Sequence, residues 1–394
     1  MTALCRNQEV TRAWSGFGWP LRRSGAAIPW PLSVPAWTER LARPEIWKTL
    51  LGAWLVCILA GGHAHGVVSA EAILAESPPK LLSEFGFFDD LKAQNPAAGV
   101  VPFQLATPLF SDGALKFRFV HLPDGKAAQY DDDEAFDFPT GTALIKTFAF
   151  PADNRRPDQD IKLIETRVLL RRTDGWHAFA YLWNAEQTDA VLKIAGAKVE
   201  ISTTAADGSA LAFTYSVPNK NQCKACHAFN GEIVPLGPKA RNLNRDVDYA
   251  TGRLNQLAHW TAAGMLADAP APKDAPAVPD WRDAAAALDL RARGWLDVNC
   301  AHCHRREGPA SNSGLWLTFG EKDPVKFGVR KRPVAAGKGS GDRQFDILPG
   351  DPGGSILLYR VESTEPGVMM PELGRHIADP EAVALLKDWI GQMR

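Results

Sequence analysis

Cys300-Ala301-His302-Cys303-His304 decides how this chain is read, and Cys223-Lys224-Ala225-Cys226-His227 repeats its pattern. Both stretches are C-x-x-C-H, the spacing of a c-type haem attachment site. Two intervening residues let both sulfurs reach neighbouring vinyl groups of one porphyrin edge. The next residue then lies under the ring with its imidazole aimed at iron. The residues this assigns to cofactor binding are Cys223, Cys226, His227, Cys300, Cys303 and His304. His227 and His304 are the expected proximal iron ligands.

Two other chemistries use paired cysteines. One zinc could be held by both C-x-x-C pairs, but that leaves the histidine after each pair unexplained, and the gap between the pairs is long for a compact zinc knuckle. Thioredoxin-like redox pairs sit where a strand leads into a helix within a βαβ unit, which neither stretch does. Two covalently bound haems c, each with its iron, are the expected cofactors.

The chain has 394 residues, enough for two or three domains with sizeable cores. Its formal net charge of −1 hides an asymmetry. Residues 1–70 hold seven Lys/Arg against three Asp/Glu, while the remainder carries −5. Nothing in this balance suggests nucleic-acid binding. Of the six cysteines, Cys5 and Cys57 lie in the first 70 residues, so the other four all belong to the two motifs.

Residues 1–70 read as a leader. The apolar run at residues 49–60 follows Arg43 and Lys48 and precedes Val68-Ser69-Ala70, the order of a secretory signal cleaved before Glu71. The run is short for a membrane span, which needs about 20 apolar residues. Uncleaved anchoring in the inner membrane is the alternative. Residues 1–45, rich in Trp, Pro and Arg without an apolar period, suggest that translation starts further along. A periplasmic location is expected, since c-type haem is attached outside the cytoplasm, with room for peripheral membrane association.

Residues 78–218 read as an antiparallel, sandwich-like β domain. Two-residue alternation marks Lys116-Phe117-Arg118-Phe119-Val120-His121-Leu122, and residues 144–148 form another strand. Thr173-Asp174-Gly175 and Asp207-Gly208 each separate a pair of strand-like runs, as hairpin turns do. The acidic run Tyr130-Asp131-Asp132-Asp133-Glu134 reads as a solvated loop.

Residues 219–266 form the first haem-binding segment. The carbonyls of Pro235-Leu236-Gly237-Pro238 are placed to accept the His227 Nδ1 proton. The segment's distal ligand is open between Met265 and His259, with His121, His177 or a vacant position as further options. Residues 267–280, with four prolines among alanines, read as an extended linker. Residues 281–394 hold a helix over residues 282–299 leading into the second motif, and Gly294 suits a close helix crossing. Pro309 is placed to offer a carbonyl to His304 Nδ1. Met370-Pro371 lies on a loop, and a final helix opens at Asp379-Pro380. Met370 is the expected axial ligand of the second haem, with Met369 beside it.

From Cys300 to Arg394 the chain resembles class I cytochromes c. From about Pro78 onward it resembles a bacterial family of dihaem c-type cytochromes with a β-rich N-terminal domain. The residues that carry this are Thr107-Pro108-Leu109-Phe110-Ser111-Asp112, Asn219 with the first motif, Leu243-Asn244-Arg245, Asn255-Gln256-Leu257, the second motif, Leu348-Pro349-Gly350-Asp351 and Met370-Pro371. The expected fold class is therefore multidomain α+β: the β domain, then a mainly α-helical haem-binding region ending in a cytochrome c fold. The resemblance implies electron transfer by a carrier rather than an enzyme, with a cytochrome, dehydrogenase or reductase as redox partner. A dihaem peroxidase, or a sensor of small ligands using the first haem, is the alternative.

Overall fold

A computed structural model of the chain describes residues 67–334 and 336–394. The secretory signal and Cys5 and Cys57 lie outside the described residues. The chain opens with α1 (Ala70–Leu74), then β1 (Phe88–Asp90), β2 (Asn95–Pro96), β3 (Val100–Pro102), β4 (Leu115–His121) and β5 (Ala128–Gln129). Next come β6 (Ala143–Pro151), β7 (Ile161–Arg172), β8 (Gly175–Trp183), β9 (Ala190–Leu192), β10 (Ala197–Thr204) and β11 (Ala210–Val217). Then follow α2 (Lys220–His227), β12 (Ala228–Phe229), β13 (Glu232–Ile233), α3 (Ala240–Leu243), β14 (Asp246–Tyr249) and β15 (Gly252–Asn255). The last elements are α4 (Gln256–Ala262), β16 (Leu266–Ala267), α5 (Leu288–Asn299), α6 (Ile356–Glu362) and α7 (Pro380–Gln392).

One six-stranded sheet, in the order β3-β4-β6-β7-β8-β9, is the frame. Every pairing in it is antiparallel. Alternation gives it two distinct faces. On one face Phe119, Ile145, Val168, Phe179 and Tyr181 pack against Phe85, Phe87 and Ile73. Burying each of these side chains contributes about 1.5–3 kcal/mol. Ser69 caps α1 by accepting from the Ala72 amide, so residues just before the expected cleavage point already belong to the fold. The other face is shared. At one end the β10–β11 hairpin covers it through Ile201, Tyr215 and Val217. At the other, Val120 and Leu144 join Leu243, Leu257 and Trp260 of α3 and α4.

The structure corrects the expected fold class. There is no full sandwich: the second layer on that face is a two-stranded hairpin beside helical segments. Nor is the region after residue 218 mainly helical. The described residues are 20% helical and 27% strand. The hairpins β12–β13 and β14–β15 and a long irregular stretch between α5 and α6 occupy much of that region. Glycine and proline recur throughout residues 308–354, and both interrupt helices.

Three local expectations also shift. The helix before the second motif starts at Leu288, because residues 280–286 form turns in which the Asp280 and Asp283 side chains accept backbone amides. Gly294 faces Val278 and Thr107 rather than another helix. Residues 267–280 are no free tether: Ala275 and Val278 are buried, and Asn244 Nδ2 donates to the Pro272 carbonyl at 2.8 Å. Helices α5, α6 and α7 share a core of Trp295, Leu296, Leu358, Leu386, Trp389 and Ile390. Asp379 caps α7 by accepting from the Ala382 amide, with Pro380 at its first turn.

Residues 104–112 stitch these parts together. Gln256 Oε1 accepts the Gln104 amide at 2.7 Å, and its Nε2 donates to the Gln104 carbonyl. Asn242 makes the same two-way pairing with Thr107, at 2.7 and 3.0 Å. Asn299, at the end of α5, accepts the Phe110 amide at 2.7 Å. Asp112 accepts the amides of His376 and Ile377. All four side chains are buried. An unpaired buried amide costs about 1–3 kcal/mol. Asn242→Ala strands both Thr107 groups and is expected to lower unfolding stability by about 2–4 kcal/mol in chemical denaturation, while an exposed control such as Lys387→Ala stays within about 0.5 kcal/mol.

Candidate functional site

The first motif is carried by α2 itself. Asn219 opens that helix with a reciprocal cap: its side chain accepts the Gln222 amide, and Gln222 accepts the Asn219 amide. One short helix therefore presents Cys223, Cys226 and His227. The His227 Nδ1 proton goes to the Val234 carbonyl at 2.7 Å, one residue before the expected Pro235–Pro238 run. A carbonyl can only accept, so Nε2 is the bare nitrogen. Burial pushes the His227 imidazole down to about 3, helped by the charges of Lys146, His302 and Arg167, so the ring is neutral.

The second motif follows α5 directly. His304 Nδ1 meets Ser313 Oγ at 3.3 Å rather than a carbonyl near Pro309. Ser313 Oγ already donates to the Ala310 carbonyl, so it accepts from His304 and again leaves Nε2 bare. Burial pushes this imidazole down to about 4. Both rings thus offer a neutral nitrogen with its tautomer set by a second hydrogen bond, the state a metal ligand requires.

All four thiols are free of disulfides. Burial pushes Cys300 and Cys303 up to about 12, and raises Cys223 and Cys226. Catalytic redox pairs need a depressed thiol, so that chemistry fits poorly. Among the described residues no three His, Cys, Asp or Glu side chains gather as a metal cluster, which does not match one zinc shared by the two pairs. The donor set does fit one covalently held tetrapyrrole at each motif: two free thiols and one oriented imidazole.

The segment containing Met370 is held by a buried arginine. Arg375 is buried and donates to the carbonyls of Met370, Arg360, Ser363 and Ile377. The Met370 amide donates to the Arg360 carbonyl at 2.9 Å. The charges of Arg375, Glu372 and Arg360 act on Cys300, Cys303 and His304 respectively, so this loop lies in the neighbourhood of the motif. Among the described residues, the sequence candidates for the first motif's distal ligand are engaged elsewhere. Met265 packs beside Trp260 in the shared core, and His259 stacks on Tyr249 with ring centroids 4.0 Å apart. His121 and His177 bond the Gly99 carbonyl and Asp174 at the ends of their strands.

The two motifs are neighbours, although 72 residues lie between them in sequence. The Asn230 amide donates to the Glu307 carbonyl at 2.9 Å. The Arg305 guanidinium lies 4.7 Å from the centre of the Phe229 ring. Arg305 also holds Glu307 and Glu134, and Lys239 joins Glu134 at 3.3 Å. Within the acidic run, Glu134 joins both motif segments, and Asp133, itself largely exposed, pairs with Arg241 at 2.8 Å. A cavity of about 30 Å³ lies at this junction, lined by Phe229, Leu236, Asn242, Asp297, His302 and Arg305. The buried His302 Nδ1 has no protein partner, and the cavity is large enough for a water molecule. No sequence signal marked Glu134 or Arg305, since their partners are distant in the chain. Comparison with protein-family models, curated proteins and solved structures finds no match.

Burial raises Glu134, but its hydrogen bond to Arg305 and the charges of Lys239 and Arg305 outweigh this and hold it below its usual 4.5. Its contribution is then complete above pH 4.5 and disappears as pH falls through the depressed value. Glu134→Gln is expected to unfold more easily at pH 7, by no more than about 1 kcal/mol because over a third of the Glu134 side chain meets solvent, with the gap to the unaltered protein closing as pH falls through the depressed value. Denaturant titrations across that range check it.

Proposed function

We propose that this chain is an exported dihaem c-type cytochrome that passes electrons between redox proteins. The observation that carries this reading is the juxtaposition of two C-x-x-C-H motifs through Asn230, Glu307, Arg305 and Phe229. The haem, when bound, supplies a one-electron iron couple. Cys223 and Cys226, and Cys300 and Cys303, hold its edges. His227 and His304 would hold the iron through Nε2, with the rings aimed by Val234 and Ser313. Met370 would offer a thioether to the second site, on a loop that Arg375 holds by its carbonyls. Glu134, Arg305 and Lys239 keep the two attachment points at a constant separation, which lets electrons pass without rearrangement of the chain. The partner is a second redox protein, a cytochrome, dehydrogenase or reductase. The leader that would export the chain lies outside the described residues, and among those described no helix is long and apolar enough to cross a membrane.

A second reading concerns the first site alone. Met265 and His259 are both engaged in other contacts, which favours an open sixth position there. Such a haem would take peroxide or a diatomic ligand, as a dihaem peroxidase or a sensor does.

Pyridine haemochrome assay of the exported protein is expected to find two haems per chain; fewer would end the proposal. In Met370→Ala, one of the two haems is expected to become high-spin and to fall in potential while the other keeps its spectrum. Two low-spin haems in both redox states, without carbon monoxide binding or peroxide turnover, would remove the second reading.

A further inference from the structure

The central sheet carries a row of four positive charges against which one carboxylate, that of Glu165, is paired. Register places Arg118 opposite Lys146, Lys146 opposite Arg167, and Arg167 opposite Ala180. These residues share one face of β4, β6, β7 and β8. Lys116 stands two residues from Arg118 on the same face. Like charges directly opposite across strands repel.

The fully buried Phe148 ring lies under the group. Lys146 Nζ is 4.8 Å from its centre, Arg167 Cζ 4.2 Å and Lys116 Nζ 5.7 Å. Only Glu165 opposes these four cations nearby. It is already engaged, pairing with Arg167 and accepting from the Tyr215 hydroxyl. Arg118 and Lys116 donate only to backbone carbonyls, at 3.4 and 3.1 Å. The charges that act most strongly on Lys116, those of Arg118, Lys146, Arg167 and Arg282, are all positive. The side chains keep some exposed area, yet desolvation is the leading influence on Lys116, Arg118 and Lys146. Half-buried and gathered over the fully buried Phe148 ring, they line a recess in this face of the sheet.

That recess adjoins the first motif. Helix α2 packs on β8, where Ala178 and Ala180 present small buried side chains. The charges of Lys146 and Arg167 reach Cys226 and His227. At about 4.8 Å per strand, Arg167, Lys146 and Arg118 lie roughly 5, 10 and 14 Å from β8. A planar macrocycle tethered to α2 covers such a span, and a tetrapyrrole of the haem type carries two carboxylates.

We propose that Arg118, Lys146 and Arg167, with Lys116, form the recess that receives the carboxylates of the tetrapyrrole held by the first motif. The inference rests on the dihaem reading. It gives the β-rich part of the chain a direct role: the sheet is one wall of the first site. These four are positioning residues, since they touch the periphery of the group and not its iron. A free oxyanion is the competing occupant.

The test uses the full exported protein with Arg118→Met, Lys146→Met and Lys146→Arg, and Lys387→Met as a control on α7. Haem count in the unaltered protein reports on the dihaem reading alone. With two haems present, Lys146→Met and Arg118→Met are expected to shift the propionate bending band of one haem in the resonance Raman spectrum. They are also expected to lower one of the two midpoint potentials, because loss of a nearby cation favours ferric iron. Lys146→Arg and Lys387→Met are expected to leave both unchanged. Phosphate or nitrite should not perturb the spectrum of the unaltered protein. An unmoved propionate band in both methionine variants would overturn the assignment. So would saturable phosphate or nitrite binding that these variants abolish, because the recess would then serve a free anion.

Discussion

The hydrogen bonding of residues 104–112 to three buried side-chain amides, two of them pairing in both directions, is the constraint on which the rest of the structure depends. Gln256, Asn242 and Asn299 each reach the backbone of this one irregular segment, and Asp112 continues the line to residues 376 and 377. A segment without regular pairing must find partners for its amides and carbonyls, or lose the free energy of burying them. Here the partners come from both motif segments. The sheet, the first motif and the second are thereby registered to one another by bonds of defined direction, which apolar packing alone does not provide.

This arrangement explains why the chain does not divide where its composition suggests. The core formed by Val120, Leu144, Leu257 and Trp260 draws on both sides of residue 219. The proline-rich residues 267–280 run back along Asn244 and Arg241 instead of spacing two bodies apart. Glu134 and Asp133, in a run that looks solvated, become counter-ions for Arg305 and Arg241 because folding brings those guanidinium groups to them.

The two motif sites differ for physical reasons. The second lies between a twelve-residue helix and a loop held by a buried arginine, with α7 closing its core. The first lies on an eight-residue helix against a β-sheet, and its surroundings are dominated by cations. One site lies near a loop that carries a methionine; the other lies against a sheet face lined with cations. Under the dihaem proposal, two such unlike environments would hold the two haems at different potentials, since axial ligand and local charge both set them.

Much of this was legible in the sequence. The C-x-x-C-H spacing, the two hairpins at Asp174-Gly175 and Asp207-Gly208, and the Asp379-Pro380 helix start are local patterns, and local patterns act through bonds between near neighbours. The His227 carbonyl partner was missed by one residue, and the His304 partner proved to be a hydroxyl, because loop curvature decides which group arrives. The expected sandwich and mainly helical region failed because periodicity shows that a strand or helix has an apolar face, but not what covers it. By itself the sequence determined the motifs, the strands and the terminal helix, since each depends on residues a few positions apart. Only the tertiary structure decided that the motifs adjoin, that Glu134 joins them, and that Arg118, Lys146 and Arg167 stand in one row. Those relations depend on strand register and on contacts spanning up to 171 residues, which no local pattern encodes.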